Sequence, residues 1–404
     1  MCAEVVLITS IAAVASGLIL LSLAKRQLRF NKQIQLLSEV ELNHDSPGAS
    51  LTPVSLIVPA CNEARTIEPA LRSLLAMDYA ALELIVVNDR STDKTGDILK
   101  RLRVEFTQLK VIDVNSLPSG WLGKVHALSL GAAAATGDWL LFSDADVHYS
   151  PYALQKAIHF CDREQLDFLT VVPAIHAPGF LLQAFVAQFL QAAALTVNFE
   201  RIGDSRCRDC VGGGAFNLVR KNVLARSPGF DWLKLEVIDD TGLAYMAKQA
   251  GARCAAIGGL DEIELEWYPT LGKFVRGLEK NSFAIFQYSW VALILFLSSN
   301  VGLLWGVTVA PFQSQNLWVL FFDMGGIVIY LFAAGKSLKK LVHFSPLVLL
   351  LLPLTCIGMA FIAIRAACLF QMRGGIVWRE VFYPRRELSA QQRLKVINII
   401  FQRP

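Results

Sequence analysis

Long apolar segments stand at the start of the chain and again over its last third. Residues 5–24 carry no charged side chain and are long enough to cross a bilayer as a helix. Three more apolar segments follow at about 284–310, 317–334 and 346–370. This pattern predicts four membrane spans that flank a water-soluble middle region.

Basic residues indicate which side of the membrane the middle region faces. They cluster directly behind the first apolar segment, at Lys25, Arg26, Arg29 and Lys32. A signal peptide would carry its basic residues before the apolar run and a small-residue cleavage site after it, so an uncleaved anchor fits better. Because basic flanks remain in the cytoplasm, we expect residues 1–32 to form an anchor with its flank, and the middle region to be cytoplasmic.

The last apolar segment leaves its topology open. A full crossing by residues 346–370 would carry the basic residues behind it to the outside, against the charge rule. Pro346 and Pro353 would instead suit a re-entrant or broken helix. The sequence does not decide between these two topologies.

The middle region alternates between two kinds of pattern. Short apolar runs with β-branched residues predict strands at Val54–Val58, Leu82–Val87, Leu109–Val114 and Trp139–Ser143. Between them the pattern predicts helices at Thr66–Ala76, Thr95–Glu105 and Val125–Ala135. Strands that alternate with helices predict an α/β domain with a mostly parallel sheet. A further apolar stretch, Phe180–Phe199, is either a core helix or a helix in the membrane interface.

The composition agrees with this division into apolar segments and an α/β region, but it points to few functional residues. The 404 residues are 54% hydrophobic, and a net charge of +4 gives no reason to expect a nucleic-acid partner. The eight cysteines are scattered, which is typical of buried thiols rather than of a disulfide framework. Cys207 and Cys210 form one isolated CxxC pair, which is weak evidence for a zinc or redox site.

Polar clusters follow the predicted strands, at the edge where ligands of parallel sheets bind. The first contains Pro59 and Glu63, the second contains Asp89, and Lys124 begins the Ala-rich helix. Asp144-Ala145-Asp146 follows the fourth strand, and paired carboxylates bind divalent cations that neutralise substrate phosphates. A lysine at a helix start suits a phosphate. Taken singly, each cluster has an ordinary structural alternative, such as a helix cap or a surface lysine.

A second carboxylate pair, Asp239-Asp240, stands at the start of a helix predicted to run to about Ala250. One member of such a pair can act as a general base, because the neighbouring charge raises its pKa. The alternative is an acidic helix N-terminus that complements the helix dipole, and in isolation that alternative is favoured.

The order of these motifs resembles that of family 2 glycosyltransferases, which have the GT-A fold. The motifs are PxxNE, NDRSTD, GKxxAL, DAD, GGGAF and DDxxL, and the resemblance covers about residues 53–270. The segments GWLGKVHAL, GGGAFNLVR and RGGIVW are similar to those of membrane-bound glycosyltransferases associated with hopanoids and carotenoids. The resemblance therefore implies a Rossmann-like α/β catalytic domain attached to transmembrane helices.

The resemblance implies a donor side that binds a nucleotide-diphosphate sugar. Pro59, Glu63 and Asp89 would contact the nucleoside. Lys124 would lie near the diphosphate, and Asp144 near the ribose or the diphosphate.

The resemblance also implies a metal, a base and an acceptor side. Asp146 would ligate Mg or Mn, and Asp240 would be the catalytic base. Gly213, Gly214 and Ala215, together with Asp239, would shape the acceptor side.

One motif found in part of this family is missing from the sequence, and its absence bears on the kind of glycosyltransferase that we expect. Processive polysaccharide synthases that resemble this family carry a QxxRW motif, whereas residues 273–280 here read KFVRGLEK. Its absence counts against polymer synthesis, although Arg276 or Lys280 is a conceivable substitute. A transporter is disfavoured because the later apolar segments contain few charges.

The sequence therefore predicts a membrane-bound inverting glycosyltransferase that uses a nucleotide-diphosphate sugar and a lipid acceptor. The alternatives are a polysaccharide synthase-like glycosyltransferase and a non-catalytic nucleotide-binding membrane protein. The predicted regions are an anchor at 1–32, a GT-A domain at 53–280, transmembrane helices at 281–372 and an amphipathic basic tail at 373–404.

Overall fold

The structure is a computed structural model that describes residues 3–42 and 52–395. The end of the predicted tail, from residue 396 onward, lies outside the described residues. The chain forms two compact units. As far as they are described, one consists of Met1–Gln33, Ala177–Asn198 and Tyr268–Gly374, and the other of Ile34–His176, Phe199–Trp267 and Gly375–Pro404. We call them the helical unit and the α/β unit; the predicted region bounds remain a prediction.

The α/β unit is built on one sheet of eight strands. They are β1 Val54–Ala60, β2 Leu82–Asp89, β3 Leu109–Val114, β4 Trp139–Phe142, β5 Val147–Tyr149, β6 Phe168–His176, β7 Asn217–Arg220 and β8 Cys254–Glu266. Their order across the sheet is β3-β2-β1-β4-β7-β6-β8-β5. The first four strands are parallel, β6 and β8 are parallel to each other, and β7 runs antiparallel between β4 and β6. The predicted, mostly parallel α/β sheet is confirmed.

Helices connect these strands. Those of the α/β unit are Ile67–Leu75, Thr95–Glu105, Gly123–Ala134, Ala153–Arg163, Lys221–Arg226, Phe230–Leu233, Asp239–Gln249 and Arg385–Gln391, with short 3-10 turns at Leu37–Glu39 and Phe199–Arg201. The predicted helix Thr95–Glu105 and strand Leu109–Val114 agree with the structure at both ends. Strands β1 and β2 run two residues beyond the predicted bounds, because their pairing continues into the polar residues that follow the apolar runs.

Full burial of the central strands explains why their sequences are apolar runs. Every residue of β1 is buried, which is expected when helices cover both faces of a sheet. Trp139, Phe168 and Phe216 are among the largest side chains that are fully buried. Each contributes about 1.5–3 kcal/mol by removal of apolar surface from water. This core holds the strand ends, and therefore the polar clusters, in fixed positions.

The helical unit contains the predicted apolar segments. Its helices are Ala3–Gln33, Phe180–Thr196, Leu271–Ile285, Trp290–Thr308, Ala310–Gln313, Leu317–Lys339 and Leu352–Arg373, with a 3-10 turn at Pro346–Leu351. Four stretches of the described chain are long and apolar enough to cross a membrane: Ala3–Gln33, Trp290–Thr308, Leu317–Lys339 and Pro346–Arg373. They coincide with the four predicted segments. In Pro346–Arg373, the 3-10 turn continues into the helix Leu352–Arg373. Pro353 lies in the first turn of this helix, where a proline is tolerated.

Small residues allow the helices of this unit to approach closely. A Cβ on Gly17 of the first helix would lie 2.7 Å from the Phe322 ring, so the helices Ala3–Gln33 and Leu317–Lys339 pack through glycine. The helix Phe180–Thr196 belongs to this unit, and its Phe185 ring occupies the space that a Cβ on Gly358 would need.

Candidate active site

The pairing of β4 with β7 brings two distant motifs together. Phe142, at the end of β4, is opposite Asn217, at the start of β7. Asp144 therefore lies beside the glycine loop that precedes β7, and its backbone N–H donates to the Gly214 carbonyl at 2.8 Å. A Cβ on Gly214 would lie 2.2 Å from Asp144 Oδ2, so only glycine fits there without a shift. The loop thus positions the Asp144 carboxylate.

The same loop positions the second carboxylate pair. A Cβ on Gly212 would lie 2.0 Å from the Asp240 carbonyl oxygen, so this backbone approach also requires glycine. The Thr241 hydroxyl donates to the Gly212 carbonyl at 3.3 Å, and the Thr241 N–H donates to Asp240 Oδ1 at 2.7 Å. Helix Asp239–Gln249 is therefore fixed against the glycine loop at its first turn.

Lys124 links the two carboxylate motifs. Its Nζ lies 2.8 Å from Asp144 Oδ1 and 3.3 Å from Asp239 Oδ2. Burial opposes the charge of this ammonium, but the charges of Asp144, Asp239 and Asp240 outweigh burial and raise the pKa of Lys124 well above its usual range. The residue therefore remains a cation throughout the physiological pH range.

The members of the second carboxylate pair differ in their environments. Asp239 is 5% exposed and its carboxylate is compensated by Lys124. Desolvation and the neighbouring charge of Asp239 raise the pKa of Asp240 to about 6, although Lys124 and the Thr241 N–H oppose the shift. Asp240 is therefore the member whose affinity for a proton suits a general base.

Asp146 lies in the most acidic part of the site. Desolvation and the charges of Asp144 and Glu63 raise the pKa of Asp146 to about 7. Lys124 contacts Asp144 and Arg379 contacts Glu63, but these two carboxylates still raise the pKa of Asp146. Such a cluster fits a divalent cation, whose charge would add to that of the two basic residues. No group of three metal-ligating side chains close enough to hold an ion occurs in the described part of the chain. A cation here would thus need further oxygen ligands from a substrate.

The donor-side residues occupy the ends of β1 and β2. Pro59 is buried within β1, and the Glu63 carboxylate binds Arg379 at 3.0 Å between Oε1 and Nη2. Asp89 is 2% exposed, and its two oxygens accept hydrogen bonds from Arg90 at 2.8 and 2.9 Å. The geometry brings Glu63, Lys124, Asp144 and Asp146 into one electrostatic cluster; the roles predicted for all of these residues remain predictions.

The residues predicted for the acceptor side occupy three different environments. The Gly213 N–H donates to Asn217 Oδ1 at 3.2 Å, whereas Ala215 is buried and its carbonyl accepts the Tyr149 hydroxyl at 2.8 Å. Asp239 turns its carboxylate to Lys124, at 3.3 Å.

Asn217 is a positioning residue that the motif analysis does not single out. Its Oδ1 accepts from the Thr170 hydroxyl at 2.8 Å as well as from Gly213, and its Nδ2 donates to the Asp240 carbonyl at 3.3 Å. In the sequence, Asn217 is a polar residue directly before the apolar residues of β7, and this position is the one sign of its role. In the structure it is 2% exposed. A buried amide needs partners, and two of these partners lie on the glycine loop and at the start of helix Asp239–Gln249.

Glu236 is a second such residue. It is 1% exposed and accepts hydrogen bonds from the backbone N–H groups of Arg393 and Leu394 at 2.8 and 2.9 Å. The C-terminal segment is thereby attached just before helix Asp239–Gln249.

Comparison with known proteins agrees with the motifs. Residues 55–225 match the family model described as Glycosyl transferase family 2. This stretch is a glycosyltransferase domain of that family, which confirms the resemblance predicted from the sequence. The chain is 31% identical over 190 residues to a 4,4'-diaponeurosporenoate glycosyltransferase of Staphylococcus haemolyticus, covering 46% of this chain and 48% of the relative. It is also 31% identical over 207 residues to a beta-monoglucosyldiacylglycerol synthase of a Nostoc species, covering 48% of this chain and 41% of the relative.

The fold has a solved counterpart. A mannosyltransferase of Pyrobaculum calidifontis, solved in complex with GDP-Man and Mn2+, superimposes with a TM-score of 0.53 at 17% identity, covering 91% of this chain and 98% of that chain. At this identity the likeness shows the GT-A fold alone. The chain spans about half the length of the two curated relatives named above.

Proposed function

We propose that this protein is a membrane-bound, inverting glycosyltransferase that transfers a sugar from a nucleotide-diphosphate sugar to a hydroxyl group of a lipid. The family 2 domain supports the reaction class. The four long apolar helices support attachment to a membrane. The relatives named for diaponeurosporenoate and for diacylglycerol products support a lipid acceptor.

The observation that carries the proposal is the position of Lys124 between two carboxylate motifs. Its ammonium contacts Asp144, on the side predicted to hold the diphosphate, and Asp239, directly before the candidate base. A leaving diphosphate and an incoming hydroxyl must both lie beside the anomeric carbon. Because the Lys124 ammonium contacts both motifs, the diphosphate and the acceptor hydroxyl would be held close to each other.

The residues suggest a single displacement. Asp240 accepts the proton of the acceptor hydroxyl while the hydroxyl oxygen forms a bond to the anomeric carbon. The bond from that carbon to the diphosphate oxygen breaks, and the electron pair leaves with the nucleotide diphosphate. Lys124 stabilises the negative charge that develops on the leaving group. The new glycosidic bond forms on the face opposite the departing group, so the anomeric configuration is inverted.

We propose that Mg or Mn binds at Asp146, with Asp144 and Glu63 close by. Desolvation and the charges of these two neighbours are what raise the pKa of Asp146. Magnesium is commonly held by one or two carboxylates together with substrate phosphates, which suits a site without a third protein ligand. A divalent ion bound there would supply charge neutralisation for the diphosphate.

The predicted topology is part of the same proposal. Basic residues behind the first apolar helix, including Lys25 and Lys32, would remain in the cytoplasm together with the catalytic domain. We also propose Pro59, Glu63 and Asp89 as nucleoside contacts.

The decisive test is direct detection of the product. Membranes that contain the protein are incubated with labelled UDP- and GDP-sugars, and the lipids are extracted and analysed. We expect label in a lipid with the wild type and none with Asp240→Asn, which should still bind the donor. Label only in free sugar or in a polymer, or full transfer by Asp240→Asn, would contradict the proposal.

A further inference from the structure

A short hairpin follows the last apolar helix in the sequence and belongs to the α/β unit. Its strands are β9 Gly375–Trp378 and β10 Val381–Pro384, and we call it the C-terminal hairpin. Trp378 pairs directly with Val381, so Arg379 and Glu380 alone form the turn.

The turn adopts a conformation that its side chains disfavour. Arg379 and Glu380 have φ angles of 48° and 65°, both in the left-handed region. Two-residue turns of this kind favour Asn-Gly, because side chains with a Cβ are strained there. Such strain occurs often at functional sites, so an arginine at this tip calls for a reason other than turn formation.

Both ends of the C-terminal hairpin contact donor-side motifs. At the tip, Arg379 Nη2 lies 3.0 Å from Oε1 of Glu63, in the loop that follows β1. In β10, Tyr383 is 6% exposed. Burial raises the pKa of Tyr383, while a backbone hydrogen bond from Gly123 and the charge of Arg90 oppose the shift, which places the phenol beside both residues. The hairpin therefore lies along the edge that the donor motifs form.

The cations near these motifs differ in how firmly they are held. Lys124 is shared by two carboxylates, and Arg90 is held by both oxygens of Asp89. Arg379 contacts Glu63 through one nitrogen, and its side chain is 36% exposed. Partly exposed ion pairs are weak, so this guanidinium can exchange its carboxylate for a stronger anion at little cost.

We propose that Arg379 is a donor-binding residue, whose guanidinium leaves Glu63 and binds the diphosphate of the nucleotide sugar. The proposal rests on the proposed function, which supplies the diphosphate. The charge of Glu63 acts on Asp146, so an arginine on Glu63 is already close to the acidic cluster. A guanidinium matches phosphate oxygens with two parallel hydrogen bonds, which an ammonium does not. Glu63 is then released for the nucleoside contact predicted for it.

The test compares two substitutions in the same turn. Arg379→Asn removes the charge but suits the turn, because asparagine tolerates positive φ. Glu380→Asn, the matched control, changes the neighbouring residue to the same side chain. The full-length protein in detergent is titrated with UDP and GDP, and with uridine and guanosine. Arg379→Asn is expected to weaken binding of the nucleoside diphosphate by roughly ten- to a hundredfold, as loss of a charge-assisted hydrogen bond predicts. Nucleoside binding should not weaken, because a nucleoside lacks the diphosphate that Arg379 would contact, and Glu380→Asn should bind like the wild type.

The remaining outcomes separate this proposal from the proposed function. Equal or tighter diphosphate binding by Arg379→Asn would mean that the hairpin blocks the site, and would overturn the role of Arg379. An equal loss for nucleoside and nucleoside diphosphate would show a purely structural role and would also overturn it. Arg379→Lys, which retains the charge without the planar fork, should recover part of the affinity. If the wild type binds neither UDP nor GDP, the proposed function itself fails.

Discussion

Lys124 Nζ lies 3.3 Å from Asp239 Oδ2, so the residue directly before the candidate base is already bound to a cation. The two carboxylates of the pair are thereby made unequal. Asp239 is compensated, whereas desolvation and the charge of Asp239 raise the pKa of Asp240 to about 6. A pair that looks symmetric in the sequence thus has one member bound to Lys124 and one member with a raised pKa.

Removal of the Lys124 charge should abolish most transfer. Lys124→Gln takes away the cation beside the leaving diphosphate, and loss of one such stabilising group lowers kcat by roughly 10²–10³-fold. The measurement is the initial rate of lipid glycosylation at saturating donor. Lys124→Gln also leaves the buried Asp239 without a partner, so the thermal midpoint should fall as well.

A double variant separates these two effects of Lys124→Gln. Addition of Asp239→Asn removes the uncompensated charge and should restore the thermal midpoint, while transfer remains low. If transfer recovers together with stability, Lys124 has only a structural role.

The pH dependence of transfer should have an acid limb set by Asp240. A general base works only when it is ionised, so kcat/KM should rise with pH through the pKa of about 6 and then level off. Lys124 gives no limb in this range, because its pKa is raised well above the usual value. The measurement is a kcat/KM profile from pH 4.5 to 8.5 at saturating Mg²⁺, because Asp146, whose pKa is raised to about 7, would otherwise add a second acid limb.

The Asp239→Asn variant tests the cause of that limb. The charge of Asp239 helps to raise the pKa of Asp240, so its removal should move the acid limb to lower pH. An acid limb that stays in place in Asp239→Asn would show that another group sets it.

The sequence predicts the parallel half of the sheet well, because β1 to β4 are apolar runs bounded by helices and polar turns. It does not predict the other four strands. Strands β5 and β7 have three and four residues and are too short to show a periodic pattern. Strand β6 contains Pro173 and strand β8 contains Gly258 and Gly259, residues that weaken a strand pattern. Strand β7 is nevertheless the element that brings Gly214 to Asp144. The motifs could therefore be found in the sequence, but the contacts between them depend on antiparallel pairings that only the structure shows.

The remaining features that the sequence does not show are contacts between residues far apart in the chain. Asn217 binds the Asp240 carbonyl, 23 residues further along the chain, and Arg379 binds Glu63 across 316 residues. No local pattern marks such partners. The sequence predicts an amphipathic basic tail, whereas the hairpin within it and the position of Arg379 depend on tertiary packing.

Metal removal should stop transfer if Asp146 binds a cation. Chelation with EDTA is expected to abolish activity, and excess Mg²⁺ or Mn²⁺ should restore it. Asp146→Asn should lose donor binding that depends on the metal, because a neutral amide is a poor ligand for a hard cation. Asp97→Asn, at a side chain 82% exposed, is the control and should behave as the wild type. Full activity in EDTA would rule out a metal requirement.

Substitution of the glycine loop should reveal how closely it packs against Asp144. In Gly214→Ala the new Cβ would lie 2.2 Å from Asp144 Oδ2, so either the loop or the carboxylate must move. A displacement of about 1 Å at a reacting site costs on the order of a hundredfold in rate, and we expect a loss of that size in kcat. Gly213→Ala is the matched control, since the nearest atom to its Cβ would be Thr170 Cγ2 at 3.7 Å, an ordinary van der Waals contact. The measurement is the steady-state kinetics of both variants. A loss of kcat confined to Gly214→Ala would identify the contact with Asp144 as its cause. Equal losses of kcat in the two variants would show that the loop responds to any added side chain.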